Sequence, residues 1–149
     1  MMQENTSTKT DEELKKWVKN QLQSAVKELT EQGLFNTAMV EAKPAWVLPF
    51  GLLIGMIREQ GESNSFDWFI KGDFPADRVH SSKASTAREA ARHFALQWQL
   101  EARRIEDHNG KPPGERAPSS VAGKTSSQLV EMAQSLYELV DQDSLWAQS

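Results

Sequence analysis

The sequence predicts an α+β domain in which three main helices pack on a small antiparallel sheet of two or three strands. Three observations carry that expectation. Capping boxes stand at Thr10-Asp11-Glu12-Glu13, Thr86-Ala87-Arg88-Glu89 and Thr125-Ser126-Ser127-Gln128, each opening an apolar-periodic segment. Between the first two lie Ala45 to Arg58 and Phe66 to Lys71, rich in the β-branched and aromatic residues of strands. At 149 residues the chain suits one domain with a sizeable core.

The elements follow in order. Residues 1–9 are polar and read as a disordered N-terminus. Leu14, Trp17, Val18, Leu22, Ala25, Val26 and Leu29 then form one stripe at helical spacing, so the first helix is predicted from about Asp11 to Gln32, with Gly33 as its left-handed stop. In Ala45 to Arg58, counting by two puts Trp46, Leu48, Phe50, Leu52, Ile54 and Met56 on one face. The other face is small at Gly51 and Gly55, which suggests a close approach to the backbone there. Pro49 demands an edge, bulge or bend, and a short helix through Leu52 to Glu59 is the competing reading. Gly61 to Ser65 is a polar turn, and Phe66 to Lys71 completes a hairpin.

Asp73-Phe74-Pro75-Ala76-Asp77 has the chemistry of a turn. The second helix runs to about Ile105 on a stripe of Ala87, Ala90, Ala91, Phe94, Ala95, Trp98, Ala102 and Ile105. The core domain is thus 10–105. Residues 106–124 hold three Pro and three Gly and read as a mobile linker. Residues 125–149 form a C-terminal amphipathic helix and tail, whose stripe of Leu129, Met132, Ala133, Leu136, Leu139 and Val140 needs a surface to cover it.

Composition narrows the function. The net charge is −4 and the pI about 5.4, which speaks against nucleic acid as a partner. Charge is uneven: Lys83 to Arg104 carries five Lys or Arg against two Glu, whereas Thr125 to Ser149 carries four acids and no base. Such segments tend to face each other. With no cysteine, thiolate chemistry, disulfides and Cys-type zinc sites are excluded. The longest apolar run, Ala45 to Ile57, is 13 residues and broken by Pro and Gly, while a membrane span needs about 20. The N-terminus lacks the apolar core of a signal peptide, so a cytoplasmic protein is expected.

Three segments carry a resemblance: Pro44-Ala-Trp-Val-Leu-Pro-Phe50, Asp67-Trp-Phe-Ile-Lys-Gly-Asp-Phe-Pro-Ala-Asp-Arg-Val79 and Ala87-Arg-Glu-Ala-Ala-Arg-His-Phe-Ala-Leu-Gln-Trp98. In order and spacing they resemble a family of small bacterial proteins catalogued as a domain of unknown function. That family shows W-V-L-P, W-x-I-x-G-D-x-P-x-D and R-E-A-x-R-x-F-A-x-x-W. Phe74 and Arg78 depart from its pattern, standing in place of an aliphatic and an aromatic residue. The resemblance covers roughly residues 44 to 100. It implies a bacterial cytosolic protein with a mixed α and β domain, and supplies no activity.

Candidate sites are weighed against simpler roles. Asp73, Asp77 and His80 form a D-x3-D-x2-H cluster that could act as acid and base or hold a divalent ion. Aspartates in such a turn more commonly bond their own downstream N–H groups. Arg58, Arg88 and Arg92, with Arg78 in the turn, offer cations for an anion beside a helix N-terminus; the simpler role is pairing with the turn carboxylates. Trp68 completes the candidate ligand-binding set. A Ser-His-Asp arrangement from Ser81 or Ser82 with His80 or His93 lacks any G-x-S-x-G context. Pro118 to Thr125 imitates a phosphate-binding loop but lacks its first glycine and launching strand. No cofactor motif is present, and no metal site is assigned. Of the five tryptophans, Trp17, Trp46, Trp68 and Trp98 sit on predicted apolar faces. Trp146 follows the last helix and joins Leu129, Met132 and Leu136 as a candidate interface.

The expectation is therefore a non-enzymatic protein-interaction or regulatory domain with a protein partner or self-association, and no membrane or nucleic-acid role. The alternative is a small anionic-ligand or metal-binding protein, or a hydrolase, using the Asp73–His80 turn.

Overall fold

The computed structural model describes residues 2–32, 40–59, 66–107 and 124–147, with residues 2–9 described by their backbone alone. Its elements are α1 (Met2–Glu31), β1 (Val40–Leu48), β2 (Leu52–Glu59), β3 (Asp67–Gly72), β4 (Asp77–Val79), a 3-10 turn (Ser81–Lys83), α2 (Ala87–Asp107), α3 (Ser126–Val140) and the single turn α4 (Asp143–Trp146). The fold is α+β, as expected. The sheet, however, has four antiparallel strands in the order β1-β2-β3-β4, not two or three.

The extra strands have clear causes. Ala45 to Arg58 is two strands rather than one, because Pro49 and Phe50 form a turn closed by Gly51 N–H donating to the Leu48 carbonyl at 3.0 Å. The face assignment survives that turn. Trp46 pairs with Ile54 and Leu48 with Leu52, and antiparallel partners project from the same side of a sheet. Only Phe50 leaves the set, lying half-exposed in the turn with its ring 5.8 Å from that of Trp17. Strand β4 is three residues long, too short to show a period, and the sequence reads it as turn.

A bulge between Pro44 and Trp46 shifts the β1–β2 register. The shift places Ala42 opposite Ile57 and Val40 opposite Glu59, which turns Val40 and Ala42 towards α1 together with Val47. Without the bulge, Lys43 and Glu41 would take those places.

Helices cover both faces of the sheet. On one side α1 sets Ala25 and Leu29, flanked by Trp17, Val18, Leu22 and Val26, against Leu53, Ile57, Phe69 and Ala76. On the other, α2 and α3 bury their stripes on Leu52, Ile54, Trp68, Ile70 and Val79. The close approach expected at Gly55 is made from within the sheet: the Phe69 ring lies where a Cβ on Gly55 would meet it at 2.4 Å. Gly51 has no such neighbour and serves the turn. Gly72 adopts φ +104, and a Cβ there would stand 2.4 Å from the Gly51 carbonyl oxygen, so two chain corners touch at this point.

Helix α1 starts at Met2, well before the Thr10 box, and includes the residues the sequence assigns to a disordered terminus. No Pro or Gly lies between Met2 and Thr10 to stop it. At Thr86 the hydroxyl accepts the Glu89 N–H, and at Thr125 the full reciprocal box with Gln128 is formed. The Gly33 stop, the Gly61–Ser65 turn and most of the 106–124 linker, including the phosphate-loop imitation, lie outside the described residues. Among those described, no helix is long and apolar enough to cross a membrane.

Candidate functional site

The Asp73–His80 turn does not gather its polar groups. Asp73 is exposed, and its backbone N–H donates to the Gly51 carbonyl at 2.8 Å. Asp77 points the other way, into the core beneath α2. Its Oδ2 accepts the Trp98 indole N–H at 3.0 Å, and its Oδ1 accepts the Arg78 N–H at 2.8 Å. Burial pushes the Asp77 carboxyl above its ordinary range, and the Trp98 and Arg78 donors only partly offset that. His80 is exposed and caps the 3-10 turn, its Nδ1 accepting the Ser82 N–H at 3.1 Å. Among the described residues no group of three His, Asp or Glu is placed to share a metal ion.

The candidate cations are engaged elsewhere. Arg78 donates through Nε and Nη2 to Asp67 Oδ2 at 2.8 and 2.6 Å, and Asp67 Oδ1 accepts the Ser81 N–H. Arg58 pairs with Glu41 across the β1–β2 ladder at 3.2 Å and lies over the Phe66 ring. Arg88 donates to the Val140 carbonyl at 2.9 Å, at the C-terminus of α3, and to Asp143 at 2.6 Å. That places a cation where the helix dipole favours one. It is also one contact through which the basic and acidic segments face each other. Trp68 spends its indole N–H on the Ala84 carbonyl. These residues brace the fold.

The candidate interface is corrected in the same sense. Leu129 and Leu136 are fully buried against α2, and Trp146 is 5% exposed. The Trp146 ring stacks on Trp46 with centroids 3.8 Å apart, and its indole N–H donates to the Leu139 carbonyl. Trp46 answers by donating to the Leu145 carbonyl at 3.2 Å. The apolar stripe of α3 has found its surface within its own domain. Met132 alone of the four remains partly open, packed at the margin of the core.

Asp73 and Met132 meet in one place. A groove of about 610 Å³ opens between the β1–β2 turn, the Gly72–Phe74 corner and α3. Leu48, Phe74, Met132 and Leu139 give it an apolar lining, while Asp73, Lys124, Gln128, Glu131 and Ser135 supply the polar one. Its wall is fixed. Asp73 N–H ties one corner to Gly51, Gly72 N–H donates to Gln21 Oε1 of α1, and Phe50 holds φ +61 at the turn tip. A positive φ at a bulky residue costs about 1–3 kcal/mol, and such costs concentrate at functional surfaces. The sequence does not reveal this groove, because its walls come from three distant segments. The one local signal is Pro49-Phe50-Gly51, which demands a tight turn.

The family model for the Domain of unknown function DUF4826 matches residues 11–146. The chain belongs to this family. The match reaches well beyond the Pro44–Trp98 segments and takes in most of α1 and all of α3, helices that the core needs. No curated protein and no solved structure matches the chain.

In this DUF4826 domain α1 is tied to the sheet by a titratable contact. Glu28 pairs with Lys71 at 2.7 Å and accepts from Ser24 and from the Ala76 N–H. Burial alone would raise its carboxyl; Lys71, Ala76 and Ser24 together outweigh that and hold it below its ordinary value of 4.5. A carboxyl lowered in the folded state stabilises above its unfolded value, and the gain is lost as pH falls through the folded value. Glu28→Gln is therefore expected to lower stability at pH 7 by about 0.5–1 kcal/mol, the scale of a partly exposed ion pair. The difference from wild type should shrink towards zero as pH is taken below 4. Parallel urea melts at pH 7 and pH 3.5 check this, and an undiminished difference at the lower pH would rule the contact out as its source. Asp77, raised by burial, acts in the opposite direction in both proteins and cancels from the comparison.

Proposed function

We propose that this DUF4826 domain is a non-enzymatic protein-interaction module whose groove between α3 and the β1–β2 turn receives part of a partner polypeptide. The groove itself carries the reading: an open cleft of about 610 Å³ with an apolar lining, a polar rim and a braced wall. Partner recognition needs an apolar anchor point ringed by polar groups, and no reacting group. The anion, metal or hydrolase alternative needs Asp73, Asp77, Arg78, His80 and Arg88 to converge, whereas Asp77, Arg78, His80 and Arg88 each bond a different neighbour and Asp73 lines the groove. The bacterial cytosolic setting is part of the same proposal and rests on the resemblance of the three segments.

Ser135 is exposed on α3 and lines the groove, so Ser135→Trp should fill the cleft without touching the core. The expected result is an unchanged thermal melt and loss of any protein that wild type retains from a native bacterial lysate. A bound protein retained equally by the filled variant would sink the assignment of the groove.

A further inference from the structure

We infer that the groove's partner is a second copy of this chain, which inserts the exposed outer face of α2, centred on Leu96 and Leu100. The inference rests on the interaction reading above and names its partner. Leu96 and Leu100 are 42% and 52% exposed, one helical turn apart on the side of α2 turned away from the core. Arg92 precedes them on the same stripe and Arg103 follows, both exposed. This face is an apolar ridge between two cations.

The groove is its complement. Leu48, Phe74, Met132 and Leu139 offer apolar surface for leucine side chains, and the lining carries two exposed carboxylates, Asp73 and Glu131, against the one cation Lys124. Glu138, one heptad after Glu131, extends the acidic side along α3. The α3–α4 segment holds no Lys or Arg, and the nearest basic residue of α2, Arg88, is already bound to Val140 and Asp143. Opposite charge on two distinct patches of one molecule favours a head-to-tail contact, which leaves one free groove and one free ridge at the ends of each assembly.

That asymmetry gives a decisive experiment. Wild-type protein should show mass rising with concentration in sedimentation equilibrium, and the association should weaken with added salt. Ser135→Trp blocks the groove and leaves the ridge; Leu100→Asp disables the ridge and leaves the groove. Each variant alone should be monomeric, whereas an equimolar mixture should form a one-to-one dimer. Arg103→Glu should weaken wild-type association about fivefold, the scale of one exposed charge pair reversed. A second change, Glu131→Arg, should restore it. Three results would overturn the inference: a monomeric wild type at all concentrations, self-association of either single variant, or a mixture that stays monomeric. If wild type is monomeric but still captures another protein through the groove, only the identity of the partner fails. If it captures nothing, the interaction reading fails with it.

Discussion

Trp98→Ala is expected to cost the domain about 4–8 kcal/mol, a large part of the roughly 5–15 kcal/mol that holds a domain of this kind together. Two effects add. The indole is 1% exposed and packs on Phe74 and Phe94 with ring centroids 5.8 and 6.4 Å away, so its loss opens a cavity, at about 3–5 kcal/mol. It is also the donor to Asp77 Oδ2, and a buried carboxylate oxygen left without that bond adds about 1–3 kcal/mol. Trp98→Phe separates the two, since it keeps most of the ring packing and loses the N–H. It should cost about 1–3 kcal/mol and push the Asp77 carboxyl further above its ordinary range. Urea melts of the three proteins at pH 7 measure both numbers. A Trp98→Ala midpoint close to wild type would show that this indole is not a keystone of the core. Equal losses for Ala and Phe would assign the whole effect to the hydrogen bond.

The same residues show what could be read in the sequence and what could not. The stripes of α1, α2 and α3 were legible because helical periodicity repeats over many turns; Ala90, Ala91, Phe94, Ala95 and Trp98 are buried as their spacing requires. The sheet was half legible. Leu48, Leu52 and Ile54 share a face whether or not the chain turns at Pro49, so alternation could not reveal that turn. Strand β4 is held by pairing with β3, from Trp68–Val79 to Ile70–Asp77, and long-range pairing leaves no local trace. The candidate site was least legible. Asp77, Arg78 and Arg88 have the residue types of an active site, yet each is bound to a part of the chain that the sequence could not place beside it. The recognisable segments form a brace. The groove takes its lining from residues with no shared motif.

Cutting the chain after Lys124 is expected to abolish the fold rather than release a tethered reader helix. Read alone, residues 125–149 are an acidic amphipathic helix after a long linker, and their loss should change association state or solubility. The packing argues otherwise. Leu129, Ala133, Leu136 and Val140 have no exposure, and they close the same cluster as Phe94, Trp98 and the sheet residues Leu52 and Ile70. Each large aliphatic side chain among them contributes about 1.5–3 kcal/mol on burial, and Trp146 with its partner Trp46 adds a further stacked pair. That sum is comparable to the whole stability of a small domain. Removal also strips Arg88 of its two acceptors and opens to water the part of the α2 stripe that α3 covers. The truncated chain should show no cooperative thermal transition and should bind ANS strongly. Trp146→Ala, which opens only the clasp at α4, should still melt cooperatively, at a stability lower by about 3 kcal/mol. A truncated chain that melts like wild type would return α3 to the role of a detachable arm. It would also remove one wall of the groove from the folded domain, and with it the binding site on which the interaction reading depends.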